Sequence, residues 1–224
     1  MERINLEAVD VDGAVREAAE EVAGDTRFSF LRKGAIAGGA VVGGGAILSA
    51  LVPATALAAG RPPSSFGSGD VGILNYALTL EYLESSFYNE ASSRGAITDP
   101  ALRQFLRTVT RDENYHVKYL KAALGSHAIK KPKFDFQGIP GNQAKFAATA
   151  YVLENTGVHA YLGQAPNIQA AKVLLAAASI VTVEARHSGA IGLYLGKAIA
   201  PTPLDTGLTA EKVLAAVKKT GFIK

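Results

Sequence analysis

Arg111-Asp112-Glu113-Asn114-Tyr115-His116 and Val183-Glu184-Ala185-Arg186-His187 carry the same Glu-x-x-His spacing, and each closes a longer pattern that occurs twice. Glu81 is followed seven residues later by Tyr88 and 32 residues later by Glu113. Glu154 is followed seven residues later by Tyr161 and 30 residues later by Glu184. A single Glu-x-x-His is a frequent accident of a surface helix. Two copies, each led by a Glu with its Tyr, are a signature. Residues three apart lie on one helix face, so each motif aims an acid and an imidazole the same way. Four carboxylates and two imidazoles on four helices form the ligand set of a dinuclear metal centre in a four-helix bundle.

The helices that carry them can be read outward from the motifs. The first is expected over 70–92, with Asp70 capping its start. Thr98-Asp99-Pro100 opens the second with a capping residue and a proline in the first turn. That helix runs to Leu124 and stops at Gly125. A connection over 126–142, rich in Pro, Gly and mixed polarity, separates it from a third helix over 143–162. A tight turn at 163–167 leads to a fourth helix from Ile168 to about Ala200, before Pro201. A last short amphipathic helix spans 209–219. Two hairpins joined by one long crossover make an all-α, antiparallel four-helix bundle with a short C-terminal helix. No alternating strand pattern competes.

The motifs sit inside apolar stripes. On the second helix the core rhythm gives Leu102, Leu106, Val109, Glu113, His116 and Leu120; on the fourth it gives Val173, Ala177, Ile180, Glu184, His187 and Ile191. On the first it gives Leu74, Leu78, Glu81, Ser85 and Tyr88, and on the third Ala147, Tyr151, Glu154, Val158 and Tyr161. No Lys or Arg shares these stripes. Four buried carboxylates need a counter-charge, since desolvation and mutual repulsion otherwise drive them to take up protons. Two divalent ions balance the four acids, and hard oxygen donors with one imidazole per ion suit two Fe or two Mn. Glu81 and His116 are expected on one metal and Glu154 and His187 on the other, with Glu113 and Glu184 bridging.

Secondary candidates surround this set. Glu84, one turn beyond Glu81, is either a rim acid or an extra, switching ligand. Asp112 is either a helix-surface acid or the acceptor for the outer ring nitrogen of His187. Its counterpart before Glu184 is Val183, so the two halves differ there. Tyr88 and Tyr161 are expected in the core with their hydroxyls on ligand carboxylates. His159 points off its stripe, and His127 has no visible role.

The composition excludes several classes. The 224 residues, 48% apolar, suffice for one core and contain no Cys. Disulfides, thiolate catalysis and cysteine-ligated clusters are therefore out. Residues 60–224 carry eighteen basic and twelve acidic side chains, a net of +6, but they are scattered. Only Lys130, Lys131 and Lys133 cluster, which is no nucleic-acid footprint. Residues 1–59, with five basic and eight acidic side chains, are net −3. They include a stretch without charge, 34–59, behind a basic flank and ending in small-residue sites such as Ala56-Leu57-Ala58. That layout describes an export signal, with a membrane anchor or a buried core helix as the alternatives. Thr26-Arg27-Phe28-Ser29-Phe30-Leu31-Arg32 resembles a twin-arginine signal and departs from it at Phe28. Residues 60–69 (GRPPSSFGSG) read as a linker, and 70–224 as the bundle.

Three segments carry a family resemblance: 74–84 (LNYALTLEYLE), 154–163 (ENTGVHAYLG) and 183–187 (VEARH). Across 72–197 the chain resembles the ferritin-like superfamily, and within it the exported ferritin-like domain group of desiccation-related type. The resemblance implies that Glu81, Glu113, His116, Glu154, Glu184 and His187 are metal ligands. It implies iron oxidation, peroxide reduction or peroxide dismutation, with O2 or peroxide as substrate, in oxidative or desiccation stress protection outside the cytoplasm. It does not select among these reactions. No rubredoxin-like Cys domain is present to act as internal electron donor, and a storage shell is not implied. The other reading is an exported structural or binding bundle that a metal only staples. A membrane tether through 34–59, serving a larger complex, and a homodimer are left open.

Overall fold

The computed structural model describes residues 60–224; the expected leader over 1–59 and its charge-free stretch lie outside the described residues. Four long helices follow one another: α1 (Gly69–Arg94), α2 (Pro100–Leu124), α3 (Gln143–Gln164) and α4 (Ala171–Tyr194), then a shorter α5 (Ala210–Thr220). The described residues contain no strand, only an isolated antiparallel bridge between Phe134 and Ile223. None of the described helices is long and apolar enough to cross a membrane.

Local chemistry sets the boundaries. Asp99 accepts a hydrogen bond from the Leu102 amide at 2.8 Å, with Pro100 in the first turn of α2. Asn142 and Thr209 cap α3 and α5 in the same way. Two expectations are corrected. Asp70 does not cap α1; it lies inside the first turn, and its carboxylate accepts the Gln169 and Ala170 amides at 2.9 and 2.8 Å. It thus holds the segment that leads into α4. Helix α4 ends at Tyr194, not near Ala200, because Gly196 turns left-handed (φ +72°). The Gly196 and Lys197 amides fold back onto the Leu193 and Gly192 carbonyls, a Schellman stop.

Helices α1 and α2 form one hairpin and α3 and α4 the other, with the 125–142 crossover between them. Helix α1 is buried almost all round. Its inner face meets the other three helices. Its outer face lies under the crossover and the C-terminal segment, through Phe87, Phe136, Phe146 and Phe222, whose rings meet at 5.3–5.4 Å. Buried Asn75 fastens the crossover by accepting the Ile129 amide and donating to the His127 and Phe66 carbonyls, all within 3.0 Å. The segment 60–69, expected as a linker, packs on the bundle: the Gly60 carbonyl accepts from Gln164, and Phe66 stands edge-on to Tyr76.

An eleven-residue helix is marginal alone. Helix α5 is held by burial of Val213 and Val217, each contributing about 1.5–3 kcal/mol, and by the segment before it. There Gly163 of α3 meets Leu208 backbone to backbone. A Cβ on Gly163 would stand 1.9 Å from the Leu208 carbonyl oxygen, and that oxygen cannot swing away as a side chain can. Gly163→Ala should therefore lower stability by about 1–3 kcal/mol, or several degrees in thermal melting. A melting temperature equal to wild type would refute this contact.

Candidate metal centre

At mid-bundle the interior turns polar. Glu81, Glu113, Glu154 and Glu184 are fully buried, and His116 and His187 are nearly so. Each arrives on the helix stripe that also carries the core. On α2 the buried set is Leu102, Leu106, Val109, Glu113, His116, Leu120 and Leu124, and nothing else. On α4, Ile180, Glu184, His187 and Ile191 are buried, whereas Val173 and Ala177 are only half-buried toward the open end.

The six side chains meet as two quartets. One is Glu81, Glu113, His116 and Glu184; the other is Glu113, Glu154, Glu184 and His187. In each, one donor atom per residue lies within 4.8 Å of all the others. The quartets share Glu113 and Glu184. The Nδ1 atom of His116 stands 3.1–3.2 Å from oxygens of Glu81, Glu113 and Glu184 at once. His187 Nδ1 stands 3.2 Å from Glu113 and Glu154. One ring nitrogen makes one hydrogen bond. A nitrogen equidistant from oxygens of three residues is therefore spaced as one donor among several around a common point. Among the described residues, Glu81 Oε2, Glu113 Oε1 and both Glu184 oxygens are buried and accept no hydrogen bond. Buried anionic oxygens are normally paired, so this donor set fits cations and lacks any Lys or Arg to replace them.

The supporting groups are nearly symmetric. The Tyr161 hydroxyl donates to Glu81 Oε1 at 2.5 Å, and the Tyr88 hydroxyl donates to Glu154 Oε1. Each tyrosine crosses to the acid of the opposite hairpin and fixes one of its oxygens. Asp112 Oδ2 lies 3.2 Å from His187 Nε2, and Asp112 Oδ1 takes the Arg111 guanidinium at 2.7 Å. Glu84 is not a rim acid: it is 2% exposed, and its Oε2 accepts no hydrogen bond among the described residues. His159 lies off the centre, with Nδ1 on the Thr206 carbonyl, and His127 contributes its carbonyl to Asn75.

One feature escaped the reading of the motifs. Glu81-x-x-Glu84 on α1 has its counterpart in Glu154-x-x-Gly157 on α3. A Cβ at Gly157 would stand 2.6 Å from Glu184 Oε2 and 3.4 Å from Glu84 Oε1. The missing side chain on α3 is thus the space that Glu84 and Glu184 occupy. Aligning the two halves of the sequence on their leading acids would have exposed this exchange.

The charges are strained. Burial, reinforced by the neighbouring acids, pushes Glu184 and Glu84 well above the carboxylate range and Glu113 up to about 8. Burial also works on Glu81, but the His116 imidazole 3.2 Å away outweighs it by its charge and holds that acid low. Burial alone would lower the imidazoles. Hydrogen bonds to Glu113 and its neighbours reverse this, raising His187 to about 11 and His116 higher still. With protons as the only counter-charge, the centre keeps several.

One cleft borders the centre. A cleft of about 1010 Å³ runs between α2 and α4, with the edges of His116 and His187 and Asp112 along it. Tyr115, Tyr119 and Leu193 form exposed walls, and Arg111 and Arg186 supply positive charge.

No curated protein matches the chain significantly. A family model, the ferritin-like domain, matches residues 69–197. That is more than half of the 224 residues, and it covers all four helices of the bundle and the turn that ends α4. On this match, over a helical bundle with buried Glu and His groups that could hold a metal, the chain belongs to the ferritin-like domain family.

Proposed function

We propose that this is an exported dimetal-carboxylate protein, holding two Fe or two Mn and acting on O2 or peroxide as an oxidase, peroxidase or catalase in stress protection. One observation carries the reading: two Glu/His quartets that share Glu113 and Glu184, with oxygens no hydrogen bond satisfies. Glu81 and His116 would hold one ion, Glu154 and His187 the other, and Glu113 and Glu184 both. A pair of redox-active ions supplies the two electrons that O–O bond chemistry exchanges. The export reading rests on the charge-free stretch 34–59 and its basic flank.

The chain's own groups have definite tasks. Tyr88 and Tyr161 pin one oxygen of Glu154 and Glu81, leaving the other directed at the centre. Burial, reinforced by Glu184 and the other acids, pushes Glu84 well above the usual carboxylate range and so favours its acid form. The α2/α4 cleft admits small molecules to the imidazole side. Exclusion of bulk water elsewhere strengthens each electrostatic contact.

Protons and metal ions compete for these donors. Glu113 has a folded pKa of about 8 against an ordinary 4.5, so its contribution to stability is present below about pH 4.5 and lost as pH rises through 8. His187, raised from 6.5 to about 11, contributes below 6.5 and loses that contribution through 11. The metal-stripped protein should therefore melt at lower temperature at about pH 8.5 than at about pH 5.5. The gain in melting temperature on adding Mn(II) should widen over the same interval, because the ion replaces protons that the fold would otherwise lack. Calorimetric scans at both pH values check this; a gain independent of pH contradicts it.

Metal content tests the site directly. Purified without chelator, the protein should carry about two Fe or Mn per chain by mass spectrometry, and Glu113→Gln/Glu184→Gln should carry almost none. Mn loading should then give peroxide disproportionation; Fe loading should give Fe(II) oxidation or peroxide reduction. A folded protein that takes up neither ion leaves the structural bundle instead. Gly157→Ala separates site from fold. Alanine favours the helix by up to about 1 kcal/mol, yet its Cβ would push Glu184 off position. The variant should fold as well as wild type and bind metal at least about tenfold more weakly; unchanged affinity would show that Glu184 needs no such space.

A further inference from the structure

The two halves of the centre are alike at their acids and unlike at their imidazoles. Glu81 and Glu154 each have a tyrosine donor from the other hairpin. The outer nitrogen of His187 has Asp112 Oδ2 at 3.2 Å, and that carboxylate is itself fixed by Arg111 at 2.7 Å. The outer nitrogen of His116 has no hydrogen-bond partner among the described residues. Asp112 directly precedes Glu113; the residue that directly precedes Glu184 is Val183, which can offer nothing but methyl groups. Both rings and Val183 border the same cleft, so the difference lies in what each ring meets there.

A carboxylate on the outer nitrogen does three things for a metal-binding imidazole. It fixes the tautomer that leaves Nδ1 free to bind, it holds the ring plane, and it raises the basicity of the donor. His187 has all three and His116 none. We infer that the two metal positions are unequal: the position framed by Glu154 and His187 fills first and retains its ion, and the position framed by Glu81 and His116 fills second and exchanges through the α2/α4 cleft. This rests on the metal-centre reading above. Asp112 is then a positioning residue for one half of the centre, and Val183 is the reason the other half is weaker.

The test is stepwise loading of the full, metal-stripped chain with Mn(II), followed by calorimetry and electron paramagnetic resonance. Wild type should bind in two steps separated by at least about tenfold in affinity, the scale at which such partners act. The spectrum should be that of isolated Mn(II) up to the first equivalent and of a coupled pair beyond it. Asp112→Asn keeps the shape and removes the charge. It should weaken the first step by about 10–100-fold and merge the two, with helix content unchanged by circular dichroism. Val183→Asp offers His116 the missing carboxylate and should tighten the second step while leaving the first; it also decides the matter if Asp112→Asn does not fold. A single step in wild type, with coupling from the first addition, overturns the proposal, as does equal weakening of both steps in Asp112→Asn. Absence of Mn(II) binding in all three proteins overturns the metal centre itself, and the ordering with it.

Discussion

Five glutamates, Glu81, Glu84, Glu113, Glu154 and Glu184, lie in the middle of this bundle with no more than 2% exposure, and among the described residues no Lys or Arg side chain is buried. Removing one unpaired carboxylate from water already costs more than a small domain's typical net stability margin. The arrangement is tenable only if positive charge enters with the acids, as protons or as metal ions. Helix α1, which contributes two of the five acids, is sheathed on its outer side by the crossover and the Phe87–Phe136–Phe146–Phe222 cluster. The polar centre is thus flanked by buried apolar residues on each stripe, least completely on α4, where Val173 and Ala177 are half-buried.

The centre has an approximate two-fold logic, and its departures from that logic are informative. Tyr88 serves Glu154 as Tyr161 serves Glu81. Glu84 has no acidic counterpart, because the matching position on α3 is Gly157 and its space is already filled from α1 and α4. Asp112 has no counterpart, because α4 carries Val183. One departure adds a fifth carboxylate on the α1/α3 side. The other differentiates the imidazoles on the α2/α4 side. The pattern is thus duplicated in its six proposed ligands and one-sided at Glu84 and Asp112.

Much of the fold can be read directly from the chain, since a 3.6-residue apolar period is a local property. The α2 stripe from Leu102 to Leu120 is buried as spaced, and the caps at Asp99 and Thr209 lie where the residue types place them. What local pattern could not reveal is long-range. Asp70 looks like a cap for the helix it begins, yet it serves α4, a hundred residues away. The apolar run through Ile199 looks helical, yet Gly196 ends it. Leu80, Leu83 and Phe87 fall off the α1 ligand stripe and are buried all the same, because a crossover and a tail cover them, and no period announces which segment will do so. Glu84 belongs to this class: its burial depends on a glycine seventy-odd residues away.

Ligand sets of this kind recur across a fold with several chemistries, so the acids and imidazoles alone do not choose a reaction. The choice lies in what reaches them. On the α1/α3 side the centre is closed by Glu84 against Gly157 and by the two tyrosines. On the α2/α4 side both imidazole edges border a cleft of about 1010 Å³ with aromatic walls and two guanidinium groups. A centre that needed to admit only O2 or peroxide could be served by a narrow channel. Tyr115, Tyr119, Arg111 and Arg186 border this opening. They lie outside the ligand set, so two chains with the same six proposed ligands can differ in what they accept.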